Sequence, residues 1–241
     1  MAIIFPSAAL YCKRKRGAYG KYSKISELFD LSHTAAGELF SKFTYPWEVL
    51  PHIGEFVRTL GESLSADAYE KIAPEVWAAK DVKIAKNATL LGPAVIGAGT
   101  ELRTGAYIRG NVLVGRGCVI GNSTELKNAI LFDTVQVPHY NYVGDSVLGY
   151  RSHMGAGAIA SNIRSDRENI VIHGNVDIAT GLRKIGTMLG DGVEIGCNSV
   201  LCPGSIVGRG AIVYPLSRVR GVIPANHIYK GDGEPVPKKE A

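Results

Sequence analysis

Counting every sixth position from Ile84 gives Leu90, Ile96, Leu102, Ile108, Val114, Ile120 and Leu126, a branched aliphatic residue each time. A second run starts at Leu189 and continues through Ile195, Leu201, Val207 and Val213. Glycine directly follows several of these, at Gly97, Gly115, Gly121, Gly190, Gly196 and Gly208. A period of six is not helical, but it is a multiple of two, so it fits short strands broken by tight corners. Three hexads make one triangular turn of about eighteen residues, with the aliphatic side chains filling the prism, which is the pattern of a parallel β-helix. Successive turns then lie about 4.8 Å apart.

The rhythm breaks between Leu131 and Tyr142, where the register changes, and again between Ser161 and Lys184. The second break holds the polar stretch Asn162-Ile163-Arg164-Ser165-Asp166-Arg167-Glu168-Asn169, expected to leave the prism as a loop near 162–184. Such breaks often lie on the binding side of a solenoid, although a drifting surface loop gives the same pattern. Upstream, Ile25, Leu28 and Phe29 share helical spacing, as do Ile53, Phe56, Val57 and Leu60, with Pro46, Pro51 and Pro74 as punctuation. The expected organisation is a small N-terminal helical segment over 19–80, a β-helix over 81–216 and a C-terminal tail over 217–241. Phe40, Phe43, Tyr45, Trp47 and Phe56 are expected to pack rather than to bind a ligand. Residues 1–18 read as a loose or mis-started tail. Their apolar stretch precedes the basic cluster Lys13-Arg14-Lys15-Arg16, the reverse of a secretory signal.

Composition narrows the function classes. With 46% hydrophobic and 20% charged residues, the 241-residue chain is not of the disordered type. Part of the net charge of +5 sits in that basic cluster and in Lys238-Lys239, so nucleic-acid binding is not expected. Cys12, Cys118, Cys197 and Cys202 form no C-x-x-C pair and no disulfide framework, which fits a reducing cytoplasm. No apolar run approaches the eighteen or so residues of a membrane span, so no membrane partner is expected.

The repeat also places candidate chemistry. Arg109 and Lys127 are eighteen residues apart in unbroken register and should stack on successive turns, with Glu125 on the same strand face as Lys127. Two cations so spaced repel by only about 0.9 kcal/mol in bulk water, so a solvated basic ridge and an anion site both remain open. His139 stands at the first break, with Gly121 eighteen residues before it and open space expected beneath the imidazole. Histidine can accept a proton near neutral pH, and it is also a common structural residue. His139, His153 and His173 lack the spacing of a zinc site, and no metal is expected.

The run from Arg109-Gly110 through Glu125-Leu126-Lys127, His139-Tyr140-Asn141-Tyr142-Val143-Gly144-Asp145, Gly155-Ala156-Gly157 and Ser161-Asn162 resembles a known family. It is similar to the acetyltransferase domain of the bacterial bifunctional enzymes that make UDP-N-acetylglucosamine, and to related archaeal sugar-phosphate enzymes. The resemblance implies a left-handed β-helix assembled as a homotrimer, in which acetyl-CoA acetylates the amine of a hexosamine 1-phosphate such as glucosamine 1-phosphate or galactosamine 1-phosphate. It implies His139 as general base and Asn162 near the thioester. Arg109, Glu125, Lys127, Tyr142 and His153 would meet the sugar phosphate, and Ala156, Asn162, Cys197 and Arg218 would meet CoA. Arg220 and Lys230 are further candidates for the CoA phosphates.

Three positions depart from the family pattern: Glu168 stands where a lysine is expected, His153 for an asparagine and Ile163 for an aromatic. Arg164 or Arg167 could substitute for the lysine after a loop shift. No Gly-rich nucleotide loop precedes the repeat, so uridylyl transfer would need a separate nucleotidyltransferase. The alternative is therefore a catalytically silent scaffold or regulator of such a partner.

Overall fold

The computed structural model describes residues 24–174, 177–231 and 234–239, so the segment 1–18 lies outside the described residues. The chain winds into a left-handed parallel β-helix of about eight turns. Two of its three faces belong to one sheet whose strands bend round a corner, and the other face is a separate parallel sheet. From Ile96 to Leu126 and from Leu189 to Val213, every aliphatic position of the six-residue count is buried in the prism. Ile84 is exposed, because no turn lies beneath it on that face. The glycines after these positions are explained by the stacking. A Cβ on Gly97 would stand 2.5 Å from the Gly115 carbonyl oxygen, and one on Gly115 would stand 2.6 Å from the Asp133 nitrogen.

The first face carries Val76–Ala79, Ala94–Ile96 and Val112–Val114, and the turns above it add the ends of Glu125–Leu131 and Tyr142–Leu148. Val76–Ala79, Ala94–Ile96 and Val112–Val114 are buried on both sides, unlike the half-exposed strands of the other faces. The cover is the N-terminal segment, whose helix Ile53–Ser63 lies across this face. Gly61 on that helix admits the Trp77 indole, which a Cβ would meet at 2.2 Å. Phe132, fully buried at the next corner, is gripped by Phe29 and Phe40 at centroid distances of 5.1 and 5.5 Å. The Asp191 carboxylate completes the joint, accepting the backbone N–H of Asp30 at 2.7 Å and of Tyr150 at 2.9 Å. Burial pushes that carboxyl above the usual range despite these bonds.

Two boundaries differ from expectation. The helical part ends at Ser63, and Tyr69–Ala73 and Val76–Ala79 are already strands. The segment from 217 is not a tail at its start, because Arg218–Val219, Val222–Ile223 and His227–Tyr229 continue the solenoid. Val219 still keeps the six-residue count, pairing with Leu201 eighteen residues before it, but the strands after it leave the count, since Ile206 pairs with Val222 and Ile212 with Ile228, two residues short of the usual coil. The extruded loop carries strand pairing of its own. An antiparallel bridge between Ile163 and Lys184 closes its base, and Val171–Ile172 pairs with Ile178–Ala179. Ile170 and Ile172 are buried against the glycine corner at Gly204, each contributing about 1.5–3 kcal/mol by leaving water.

Candidate functional site

The register change falls where the site is built. Ala94 pairs with Val112 eighteen residues on, but Val112 pairs with Ala129 and Ala129 with Ser146, a coil of seventeen. Gly110 and Asn111 both take left-handed backbone to turn the longer coil, whereas Asn128 and Asp145 each turn the shorter one alone, at φ of 48° and 49°. Asn and Asp tolerate that conformation better than other side-chain-bearing residues. Strands Glu125–Leu131 and Tyr142–Leu148 thus run through this corner unbroken.

Pairing of Tyr107 with Glu125 and Ile108 with Leu126 brings Arg109 beside Lys127 on the outer surface, as expected. Neither cation is bare. Arg109 Nη1 meets Glu125 Oε1 at 2.5 Å, and Lys127 Nζ lies 3.9 Å from Asp145 Oδ2. One turn higher, Gly144 pairs with Lys127. With no side chain there, the Tyr142 ring lies flat over the strand. Its hydroxyl would stand 2.4 Å from a Cβ on Gly144, and the Asn162 amide nitrogen 2.9 Å from it. The Asn162 amide donates to Tyr142 Oη at 3.1 Å and to Asp145 Oδ2 at 2.5 Å, and the Asn128 amide donates to Asp145 Oδ1 at 2.9 Å. Burial first, then the charges of Glu125 and Asp145, pushes the Tyr142 phenol above its ordinary value, so it keeps its proton as a donor.

His139 ends strand Gln136–His139 on the neighbouring face. It stacks on Asn122, not on Gly121, because this turn too is seventeen residues long. Gly121 instead makes way for Pro138, whose carbonyl oxygen would stand 1.4 Å from a Cβ there. The imidazole is exposed and makes no hydrogen bond to the described residues. Its backbone is held by buried Asn141, which accepts the His139 N–H at 3.2 Å and donates to the carbonyls of Gly155 and Ala158. Above His139 the same corner carries Ala156 and then Cys197. Gly157 N donates to the His139 carbonyl, Asn198 N to that of Ala156, and Leu216 N to that of Cys197. Arg218 lies on the Tyr142 column, past Ile159 and Val200, three strand spacings or about 14 Å away.

Not every expected residue joins. His153 sits on the same face as His139 but at the other end of the strand, over Gln136, where Nδ1 meets Glu194 Oε2 at 2.8 Å. Arg164 is held by Asp166, whose carboxyl falls to about 2 through that bond, and Arg167 and Glu168 are exposed on the extruded segment. Arg220 Nη2 contacts His173 Nε2 at 3.2 Å, and Lys230 lies over the Tyr214 ring. Asn128 and Asp145 went unassigned in the sequence, although Asp145 closes the motif that holds His139 and Tyr142. Only the left-handed corner turns its side chain under Asn162. Among the described residues, no group of three or more His, Cys, Asp or Glu side chains is gathered for a metal, and no helix is long and apolar enough to cross a membrane.

A family described as the GMPPB C-terminal domain matches residues 90–164. The "Bifunctional protein GlmU" of Methanococcus maripaludis strain C5 is 26% identical over 235 residues, covering 90% of this chain and 53% of that protein. The "Bifunctional sugar-1-phosphate nucleotidylyltransferase/acetyltransferase" of Sulfurisphaera tokodaii is 32% identical over 128 residues, covering 52% of this chain and 31% of that one. Among solved structures, WeeI from Acinetobacter baumannii AYE overlays 60% of this chain and 52% of its own at 19% identity and a TM-score of 0.36. The acetyltransferase domain of PglB from Neisseria gonorrhoeae, in complex with acetyl coenzyme A, covers 64% of this chain and 53% of its own at 17% identity and a TM-score of 0.29. The chain spans about a third to a half of the length of these curated relatives. The resemblance carried by Arg109 through Asn162 is borne out: the chain is similar to bifunctional proteins named GlmU across its β-helix, and the matched family segment holds that whole run of residues.

Proposed function

We propose that this chain is an acetyl-CoA-dependent N-acetyltransferase acting on a hexosamine 1-phosphate, glucosamine 1-phosphate or galactosamine 1-phosphate, for nucleotide-sugar synthesis in the cytoplasm. One observation carries the reading. The shortened coil gathers Arg109, Glu125, Lys127, Tyr142 and Asn162 on one face, one corner away from the exposed His139.

An amine attacks only when neutral, so His139 takes its proton as the nitrogen–carbon bond forms. The carbon–sulfur bond breaks, and CoA leaves as a thiolate that recovers the proton. Arg109 and Lys127 hold the phosphate, which displaces Glu125 and Asp145 as their partners. Both Asn162 amide hydrogens point inward to Asp145 and Tyr142. Tyr142 is therefore the donor for the oxyanion, because its oxygen accepts from Asn162 and its hydrogen is left to point outward. The pantetheine follows the corner from His139 past Ala156 to Cys197, toward Arg218. The exposed Tyr140, Ile159, Val200 and Leu216 beside that path are to be covered by neighbouring copies in a homotrimer, so that each site lies between subunits. No metal takes part, and a sugar nucleotidyltransferase is the partner that would use the product. The exposed Glu168 and the tethered Arg164 favour the second reading, a silent scaffold for that partner.

Thiol release from acetyl-CoA with each sugar phosphate tests the proposal. His139→Ala should lower kcat by about 10²–10⁴-fold, the usual worth of a general base. A folded wild type without turnover on either sugar, or an alanine variant as fast as wild type, overturns it.

A further inference from the structure

We infer that Asp145 is the positioning residue of this site, the group that decides which way Tyr142 points its proton. The inference rests on the acetyl-transfer reading. An ionised carboxylate only accepts hydrogen bonds, so each amide facing it must present nitrogen. Both Asp145 oxygens are occupied in this way, Oδ1 by Asn128 and Oδ2 by Asn162, and the residue is only 5% exposed. The Asn162 amide is thereby locked with its second N–H on the Tyr142 oxygen. The phenol's acceptor side is filled and its hydrogen is free for the acyl oxygen.

The same residue pins the extruded loop. Its carbonyl accepts Gly186 N–H at 2.7 Å, while the Asn162 carbonyl accepts Ile185 N–H at 3.1 Å. Both ends of the loop and the orientation of the phenol thus depend on one left-handed corner.

Asp145→Asn tests the inference with almost no change in shape. An amide at 145 presents its own N–H to Asn162, which turns over to offer its oxygen. Tyr142 then donates inward to that oxygen and loses its outward hydrogen. The variant should lose kcat by about 10²-fold, the scale of one oxyanion donor, with KM for acetyl-CoA unchanged. In a Tyr142→Phe background the same substitution should cost less than about threefold, because the proton it redirects is already gone. An equal loss in both backgrounds means a general structural role and overturns the inference, as does full activity in Asp145→Asn. Should Asp145→Asn fail to fold, Asn162→Ala replaces it, with the same dependence on Tyr142 expected and the same outcome overturning the inference. A wild type without turnover takes down the acetyl-transfer reading and this inference together. An active wild type with additive variants takes down this inference alone.

Discussion

Replacing Gly144 by alanine perturbs the site through a single methyl group. The backbone there is not left-handed, so the cost arises from space alone. The new Cβ would stand 2.4 Å from the Tyr142 hydroxyl and 2.7 Å from Cζ, with the Asn162 amide at 2.9 Å. Ordinary contact begins at 3.4 Å, so the phenol oxygen has to retreat by about 1 Å. That carries it out of reach of Asn162, which now holds it at 3.1 Å. Tyr142 is only half-buried and swings outward easily, so the fold should lose about 1 kcal/mol, the low end for an added methyl. The chemistry should suffer far more, since a displacement of about 1 Å at a reacting geometry costs about 10²-fold in rate. Thiol release and thermal unfolding, measured on the same preparation, separate the two effects. Full activity in Gly144→Ala would refute the claim that Tyr142 works from its place over the strand. A loss of activity matched by a collapse in melting temperature would refute the claim that the methyl acts locally.

Two further outcomes follow from the fold. Phe132→Ala empties the socket between Phe29 and Phe40 and should cost about 3–5 kcal/mol in denaturant unfolding, with early protease cleavage in residues 24–63; a change below 1 kcal/mol would mean that the helical segment is held elsewhere. Cys118, buried and with its thiol pushed up to about 12, should resist alkylation at pH 8 while exposed Cys197 reacts, and acetyl-CoA should slow the Cys197 reaction; mass spectrometry reading equal labelling of the two would contradict the burial.

The prism was legible because its interior obeys a strict count, and the buried positions from Ile96 to Leu126 and from Leu189 to Val213 are the ones counted. What escaped the count did so for local reasons. Shortening a coil by one residue at Asn128 and Asp145 changes which side chain lies under which, so Asn122 rather than Gly121 supports His139. The strands Val222–Ile223 and His227–Tyr229 escaped because their coils lose two residues, whereas Val219 still falls on the count. In the site, Arg109, Lys127 and Tyr142 are readable from spacing and resemblance because they lie on strands. Asp145 is not, because its role depends on a corner conformation that no spacing encodes.

The bridge between Ile163 and Lys184 brings the two ends of the extruded segment together, and the coil resumes at Ile185 and Gly186 as if nothing had intervened. The interior of a strand tolerates no such freedom, since a slip of one residue there turns its buried side chains outward. Doubling the length of a segment closed at its base costs only about 0.6 kcal/mol in closure entropy. Mutation can therefore rewrite the exposed stretch 165–169 of this outgrowth, in length and in charge, beside a reaction centre whose scaffold does not register the edit. Descendants of one solenoid can diverge in what they accept while keeping how they react.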